Sequence, residues 1–305
     1  MTGRITDVPG LRVGHAQDHD ARTGCTVVIG PFRAACDIRG TATGTRELEA
    51  ISHLHLVDRV DAILLTGGSA YGLAAADGVV AWIEEQGGGF DTGVARIPIV
   101  PAAVIFDLAV GRSDRRPDAA MGRAACLAAG LDCPEGQVGA GTGAAVGKLA
   151  GTAAAMPGGV GTAVASVAGH TVGALAVVNP LGDVVDRHGR IIAGARNTDG
   201  TFADSVRLAR SAADLPLMPT SNTTLSVVAT DAPLDRPALQ MLARAASTAV
   251  ARRTAPAHTP FDGDVGFAVS TATQARSIDP GLALALGTTA AEVLGEAIER
   301  AVRET

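Results

Sequence analysis

Apolar residues along the chain fall into two rhythms: short continuous runs that suit strands in the middle of a sheet, and longer stretches spaced at three and four that suit helices. Residues 61–66 form one such run, ending in Gly67-Gly68-Ser69, and Leu73 to Glu85 then carry helix-compatible spacing that stops at Gly87-Gly88-Gly89. This predicts strand, glycine loop, helix. Ile97 to Val104 and the runs 162–168 and 171–178 predict buried strands, the last two joined by a hairpin turn at Gly169-His170. After Asn222 the pattern restarts with a strand from Thr224 to Ala229 and a helix from Arg236 to Arg252 that carries Leu239, Leu242, Ala246 and Val250 on one face. A strand over 265–270 follows. The last helix is expected to open with a capping box from Thr289 to Glu292 and to bury Leu294, Ile298 and Val302.

Strands and helices alternate without a repeating βαβ unit, and no Ser/Pro-rich linker divides the chain, so the expectation is one layered α/β domain over 1–305. The most polar connection, 185–221, ends immediately before Thr223. A long loop running into a strand start can present a scissile bond.

Composition narrows the interior. Of the 305 residues, 47% are hydrophobic but only 3% aromatic, and 38 are glycine, so the layers must pack through small aliphatic side chains. A net charge of −6 without clustered Lys and Arg gives no footprint for nucleic acid. The N-terminus lacks a secretory apolar stretch and no apolar run reaches roughly 18 residues, so a cytoplasmic protein without a membrane span is expected. Cys25, Cys36, Cys126 and Cys133 form no C-x-x-C pair and are expected as reduced thiols.

Several motifs fail on spacing. The stretch from Gly136 to Lys148, GQVGAGTGAAVGK, has Thr142 where a P-loop needs its first glycine, and Leu149 follows Lys148. Ala144 likewise removes a G-x-G-x-x-G fingerprint. Lys148 stands out all the same, because a lysine among glycines and alanines can donate to a ligand carbonyl or lower the pKa of a neighbouring amine. The His53/His55 and His15/His19 pairs match no metal-binding spacing, so no metal and no cofactor is expected. Ser69 is a poor nucleophile elbow, since the following glycine comes one residue late, and Tyr71 beside it is either a partly buried aromatic or part of a site.

Asn222-Thr223 is more suggestive. It places a hydroxyl at the start of a buried strand directly after an asparagine, a residue that tolerates strained backbone. Attack of the Thr223 hydroxyl on the Asn222 carbonyl would give an ester that water resolves, leaving Thr223 with a free α-amine of pKa roughly 7.7–8.0, suited to a general base. Asp262 and Asp264, at i and i+2, lie on one face if extended, and two close carboxylates can share a proton. Read alone, these are also an ordinary strand start and an ordinary turn.

Longer stretches decide between those readings. Asp7 to His15 (DVPGLRVGH), Gly44 to Glu47 (GTRE), Val60 to Leu73 (VDAILLTGGSAYGL) and Val100 to Asp107 (VPAAVIFD) together resemble the self-processing family that contains the L-aminopeptidase/D-esterase, the β-peptidyl aminopeptidases and the 6-aminohexanoate (nylon) oligomer hydrolases. The resemblance implies a four-layer αββα sandwich of N-terminal-nucleophile type, cut into associated chains 1–222 and 223–305 that usually assemble as tetramers. It implies Thr223 as nucleophile, Lys148 and Asn179 as its supporting polar groups, Asp262 and Asp264 as the acidic pair, and Ser69 and Tyr71 at the substrate pocket. Thr223 and the Asp262-Gly263-Asp264 pair look like the oligomer hydrolases, as does Tyr71 in place of the commoner Phe. The run Arg39 to Gly44 departs from the Gly-Gly-Ala-Pro-Gly of many members. Expected substrates are peptide-like or oligomeric amides. An L-/D- or β-peptidyl aminopeptidase/esterase and an acyltransferase of the ornithine acetyltransferase type stand as alternatives.

Overall fold

The computed structural model describes residues 3–211 and 222–303. Its main strands are β1 (Arg12–Asp18), β2 (Thr23–Ile38), β3 (Val60–Thr66), β4 (Ala102–Val104), β5 (Gly159–Val167), β6 (His170–Asn179), β7 (Thr223–Thr230) and β8 (Val265–Ser270). They run in the order β5-β6-β7-β8-β2-β3-β4, with Thr45–Arg46 at the far edge and β1 on β2. The β7–β8 and β3–β4 pairs are parallel, and the other pairings in this order are antiparallel.

One strand makes two layers out of this path. The first half of β2 pairs with β1 and β3, its second half with β8, and the register shifts between Ile29 and Phe32. Gly30-Pro31 lies at that shift, where proline has no N–H to give to a ladder. From Arg33 onward the strand therefore belongs to the opposite sheet.

Period-two alternation then sorts side chains into three interfaces. Leu225 and Val227 of β7, Leu175 of β6, Phe267 of β8, and Ile63 and Leu65 of β3 fill the space between the sheets. Val228, Ala174 and Ala176 face outward against helices α4 (Arg236–Arg253) and α5 (Pro280–Ala301). On the other side Ala62 and Leu64 meet α1 (Ala75–Glu85) and α2 (Ala119–Leu127). The result is the expected helix–sheet–sheet–helix stack. Its closeness explains the composition: a Cβ on Gly161 would lie 2.0 Å from the Ala297 carbonyl of α5. Truncating Phe267→Ala at the middle of this core is expected to cost about 3–5 kcal/mol, read as a lower denaturant midpoint.

Four local expectations change. Residues 97–104 are not one strand: Arg96–Ile97 pairs with Phe90–Asp91, and Pro98 and Pro101 interrupt the way to β4. The hairpin turns on Ala168-Gly169, both at positive φ, and His170 already pairs with Val167. Helix α5 begins at Pro280 under an Asp279 cap that accepts from Gly281 N and Leu282 N, so Thr289 is interior and caps nothing. Among the described residues α5 is also the one helix long and apolar enough to cross a membrane, unlike anything expected from the sequence, yet here one face packs on β5, β6 and α4.

The 185–221 connection carries the short strand Ile191–Ala193 and helix α3 (Ser205–Arg210), while its last part, 212–221, lies outside the described residues. All four cysteines are free thiols, and burial pushes Cys126 and Cys133 up to about 12.

Candidate active site around Thr223

Thr223 opens β7 and is 2% exposed. Its antiparallel partner is Asn179, the last residue of β6. On the other edge the parallel ladder with β8 starts only at Leu225 opposite Val265, so the residues before it must find other partners. They find them in the turn that precedes β8. Asn222 N donates to the Phe261 carbonyl at 2.9 Å, and the Asn222 carbonyl, on the bond proposed for cleavage, accepts from Gly263 N at 2.7 Å. Thr224 N donates to Asp264 Oδ1 at 2.6 Å. Glycine is required at 263 because a Cβ there would meet the Ala42 carbonyl oxygen at 2.4 Å. The backbone of Asn222 thus faces the Asp262-Gly263-Asp264 turn, whereas that of Thr223 faces Asn179.

Lys148 approaches from the Asn179 side. It follows Gly147, which has φ +75°, and opens a 3-10 turn, while its N–H donates to the Leu181 carbonyl at 2.9 Å. Its Nζ donates to both the Asn179 carbonyl (2.9 Å) and Asn179 Oδ1 (2.8 Å). Burial lowers the Lys148 pKa to about 7, against the pull of Asp262, Asp107 and Asp264. A neutral amine there makes both donations and keeps a lone pair for a proton. Asn179 Oδ1 also accepts from Ala145 N at 3.0 Å, which fixes the amide orientation. Its Nδ2 makes only a long 3.4 Å contact to the Phe106 carbonyl, leaving donor capacity.

Both acids are buried, 2% exposed for Asp262 and 4% for Asp264, which a solvated turn would not give. Their partners differ. Asp262 Oδ2 accepts from Thr259 N (2.8 Å) and Thr259 Oγ1 (2.6 Å). Burial, then the neighbouring Asp264, raises the Asp262 pKa and pushes Asp262 toward its protonated form. Asp264 Oδ2 bonds His258 Nδ1 at 2.7 Å.

Ser69 and Tyr71 lie further out. Ser69 N donates to the Ile105 carbonyl at 3.0 Å, one residue from the carbonyl that Asn179 contacts. Tyr71 is 62% exposed, with the Arg116 guanidinium 4.0 Å over its ring. Reading the sequence missed four contributors: His258, Thr259, the Gly263 amide and Asp107. Buried Asp107 accepts from Thr23 Oγ1 (2.6 Å) and Gly68 N (2.7 Å), and burial raises its pKa. Its signal was the Val100 to Asp107 stretch.

The profile of peptidase family S58 matches residues 3–305. The chain belongs to peptidase family S58.

Among relatives, a protein of Mycobacterium tuberculosis described as an uncharacterized aminopeptidase is 44% identical, covering 96% of this chain and 92% of its own. The 6-aminohexanoate-oligomer endohydrolase of a Kocuria species is 33% identical over 99% of this chain and 87% of its own. The solved L-aminopeptidase D-Ala-esterase/amidase of Ochrobactrum anthropi, described as a variant of the Ntn hydrolase fold, superposes with a TM-score of 0.72 at 21% identity, covering 100% of this chain and 88% of its own. This S58 protein is accordingly an amide hydrolase with the Ntn-like sandwich. The lean of the motifs toward oligomer hydrolases gives way here, since the more identical relative carries an aminopeptidase name.

Proposed function

We propose that this S58 hydrolase cleaves itself between Asn222 and Thr223 and then acts as an aminopeptidase with Thr223 as its N-terminal nucleophile. The observation that carries the reading is the Asn222 carbonyl held by Gly263 N at 2.7 Å, beside a threonine paired with Asn179, whose Oδ1 accepts from Lys148 Nζ at 2.8 Å. In the first reaction Thr223 Oγ attacks the Asn222 carbonyl carbon while neutral Lys148 takes the hydroxyl proton. Gly263 N–H supports the oxyanion. The C–N bond breaks as the proton passes to the Thr223 nitrogen, and water hydrolyses the resulting ester to an Asn222 carboxylate and a free Thr223 amine.

In the second reaction the same hydroxyl attacks a substrate amide, with Asn179 Nδ2 as oxyanion donor and Lys148 or the new α-amine as base. The substrate C–N bond breaks as the base passes its proton to the leaving amine, and the acyl group stays on Thr223 as an ester until water releases it. The name of the 44% identical relative supports the aminopeptidase direction. The Thr223 and Asp262-Gly263-Asp264 pattern, together with the 33% identical relative, supports endohydrolysis of amide oligomers as the second reading.

A substrate panel separates them. Aminoacyl-p-nitroanilides with free amines are expected to turn over and their N-acetylated counterparts to resist. Internal cuts in 6-aminohexanoate oligomers that outpace both would favour the second reading instead.

A further inference from the structure

The acidic pair has a partner that neither reaction above uses. Asp264 puts one oxygen on Thr224 N, at the peptide directly after Thr223, and the other on His258 Nδ1 at 2.7 Å. The first bond is needed because the parallel ladder begins one residue later, so Thr224 N has no backbone acceptor on that side. The Asp264 side chain replaces the missing strand residue and sets the direction in which β7 leaves Thr223.

A carboxyl group this deeply buried holds its place only if each oxygen is satisfied. His258 supplies the second bond through Nδ1 at 2.7 Å, while 24% of its own side chain stays exposed. It reaches Asp264 from a backbone at φ +52°, a left-handed conformation unfavourable for a residue with a Cβ. Such outliers persist where the surroundings over-determine them, and they gather at functional sites. The other groups around the recess are the Asp37–Arg39 ion pair (2.8 Å), Thr224, Ser226 and Ser247.

We propose that His258 is a positioning residue for the S58 site, clamping Asp264 so that the strand start carrying Thr223 is held in register for attack. This rests on Thr223 being the nucleophile. The side-chain bond of His258 goes to Asp264 and not to the scissile Asn222-Thr223 peptide. Its loss therefore acts through the placement of Thr223, lowering the rate of each attack and leaving substrate affinity alone.

The test compares wild type, His258→Ala, His258→Asn and Thr223→Ala for self-cleavage rate, then kcat and KM of the processed material, with Tm as the check on folding. His258→Ala is expected to slow self-cleavage and lower kcat by roughly 10–100-fold, the usual cost of removing a partner that orients an acting group, with KM unchanged. His258→Asn keeps an N–H near the Nδ1 position and is expected to recover most of the loss.

A His258→Ala protein that processes and turns over like wild type overturns the proposal. So does an Asn variant as slow as the Ala variant at wild-type Tm, or a loss that appears in KM instead of kcat. Thr223→Ala separates the two ideas. If it is still cut and active, the nucleophile reading has failed; if it is whole and inactive while His258→Ala behaves as wild type, only the role of His258 is lost.

Discussion

Thr223→Ala is expected to leave the 305-residue chain whole and inactive, while wild type resolves into 1–222 and 223–305 on a denaturing gel and by intact mass. The same hydroxyl serves both reactions, so one substitution removes both. Loss of a nucleophile within a coupled set of groups costs on the order of 10⁶ in turnover, enough to reach the assay floor. Thr223→Ser keeps the oxygen but loses the Cβ methyl that restricts χ1, so it is expected to process and turn over more slowly. Thr223 lies at a strand start whose backbone bonds do not involve its side chain, so the alanine variant should fold with a Tm near that of wild type. Appearance of both fragments from Thr223→Ala would exclude Thr223 as the group that cuts the chain.

How far the site could be read from sequence depended on whether a residue's partners lie near it in the chain. The start of β7 was legible because Thr224 to Ala229 (TLSVVA) is a short uncharged run rich in β-branched and aliphatic residues, and Lys148 because a charge among glycines and alanines is conspicuous. Their meeting was not, since it is made by the pairing of β6 with β7 and by the turn at Gly147. Asn179 had no signal of its own and entered through family resemblance.

His258 sits in Ala257-His258-Thr259-Pro260, which reads as a solvated loop until the fold lays it against Asp264. The same holds for β2, where Gly30-Pro31 looks like a turn between elements but is the point at which one strand changes sheets. The misplaced start of α5 has a local cause. Both Thr289-x-x-Glu292 and Asp279-Pro280 are helix-start signals, and the outcome is set by Leu282 and Leu286, which extend the apolar face about two turns toward the N-terminus from Thr289.

Lys148 carries the remaining large prediction, and self-cleavage is the reaction in which to measure it. Before the chain is cut, Thr223 N is a peptide nitrogen and has no basic lone pair, so the α-amine that could serve later turnover does not yet exist. Another group must take the hydroxyl proton, and a lysine lowered to about 7 is half deprotonated near neutrality. The sign follows directly. As pH rises through about 7 the neutral fraction of Lys148 grows, so self-cleavage is expected to accelerate, tenfold per unit well below 7, and to level off above it.

Stability should follow the same direction. The unfolded chain binds the lysine proton up to the ordinary lysine value of 10.5 while the folded site releases it near 7, so between those values the unfolded state holds more protons and folding gains as pH rises. Lys148→Met keeps much of the stem but no base, and Lys148→Arg keeps the charge but cannot release it. Each is expected to slow self-cleavage by about 10²–10⁴-fold, the usual contribution of a positioned base, and to abolish the limb near 7. If Lys148→Met retains that limb at an undiminished rate, the proton goes elsewhere, and buried Asp262, whose pKa is raised, becomes the group to substitute next.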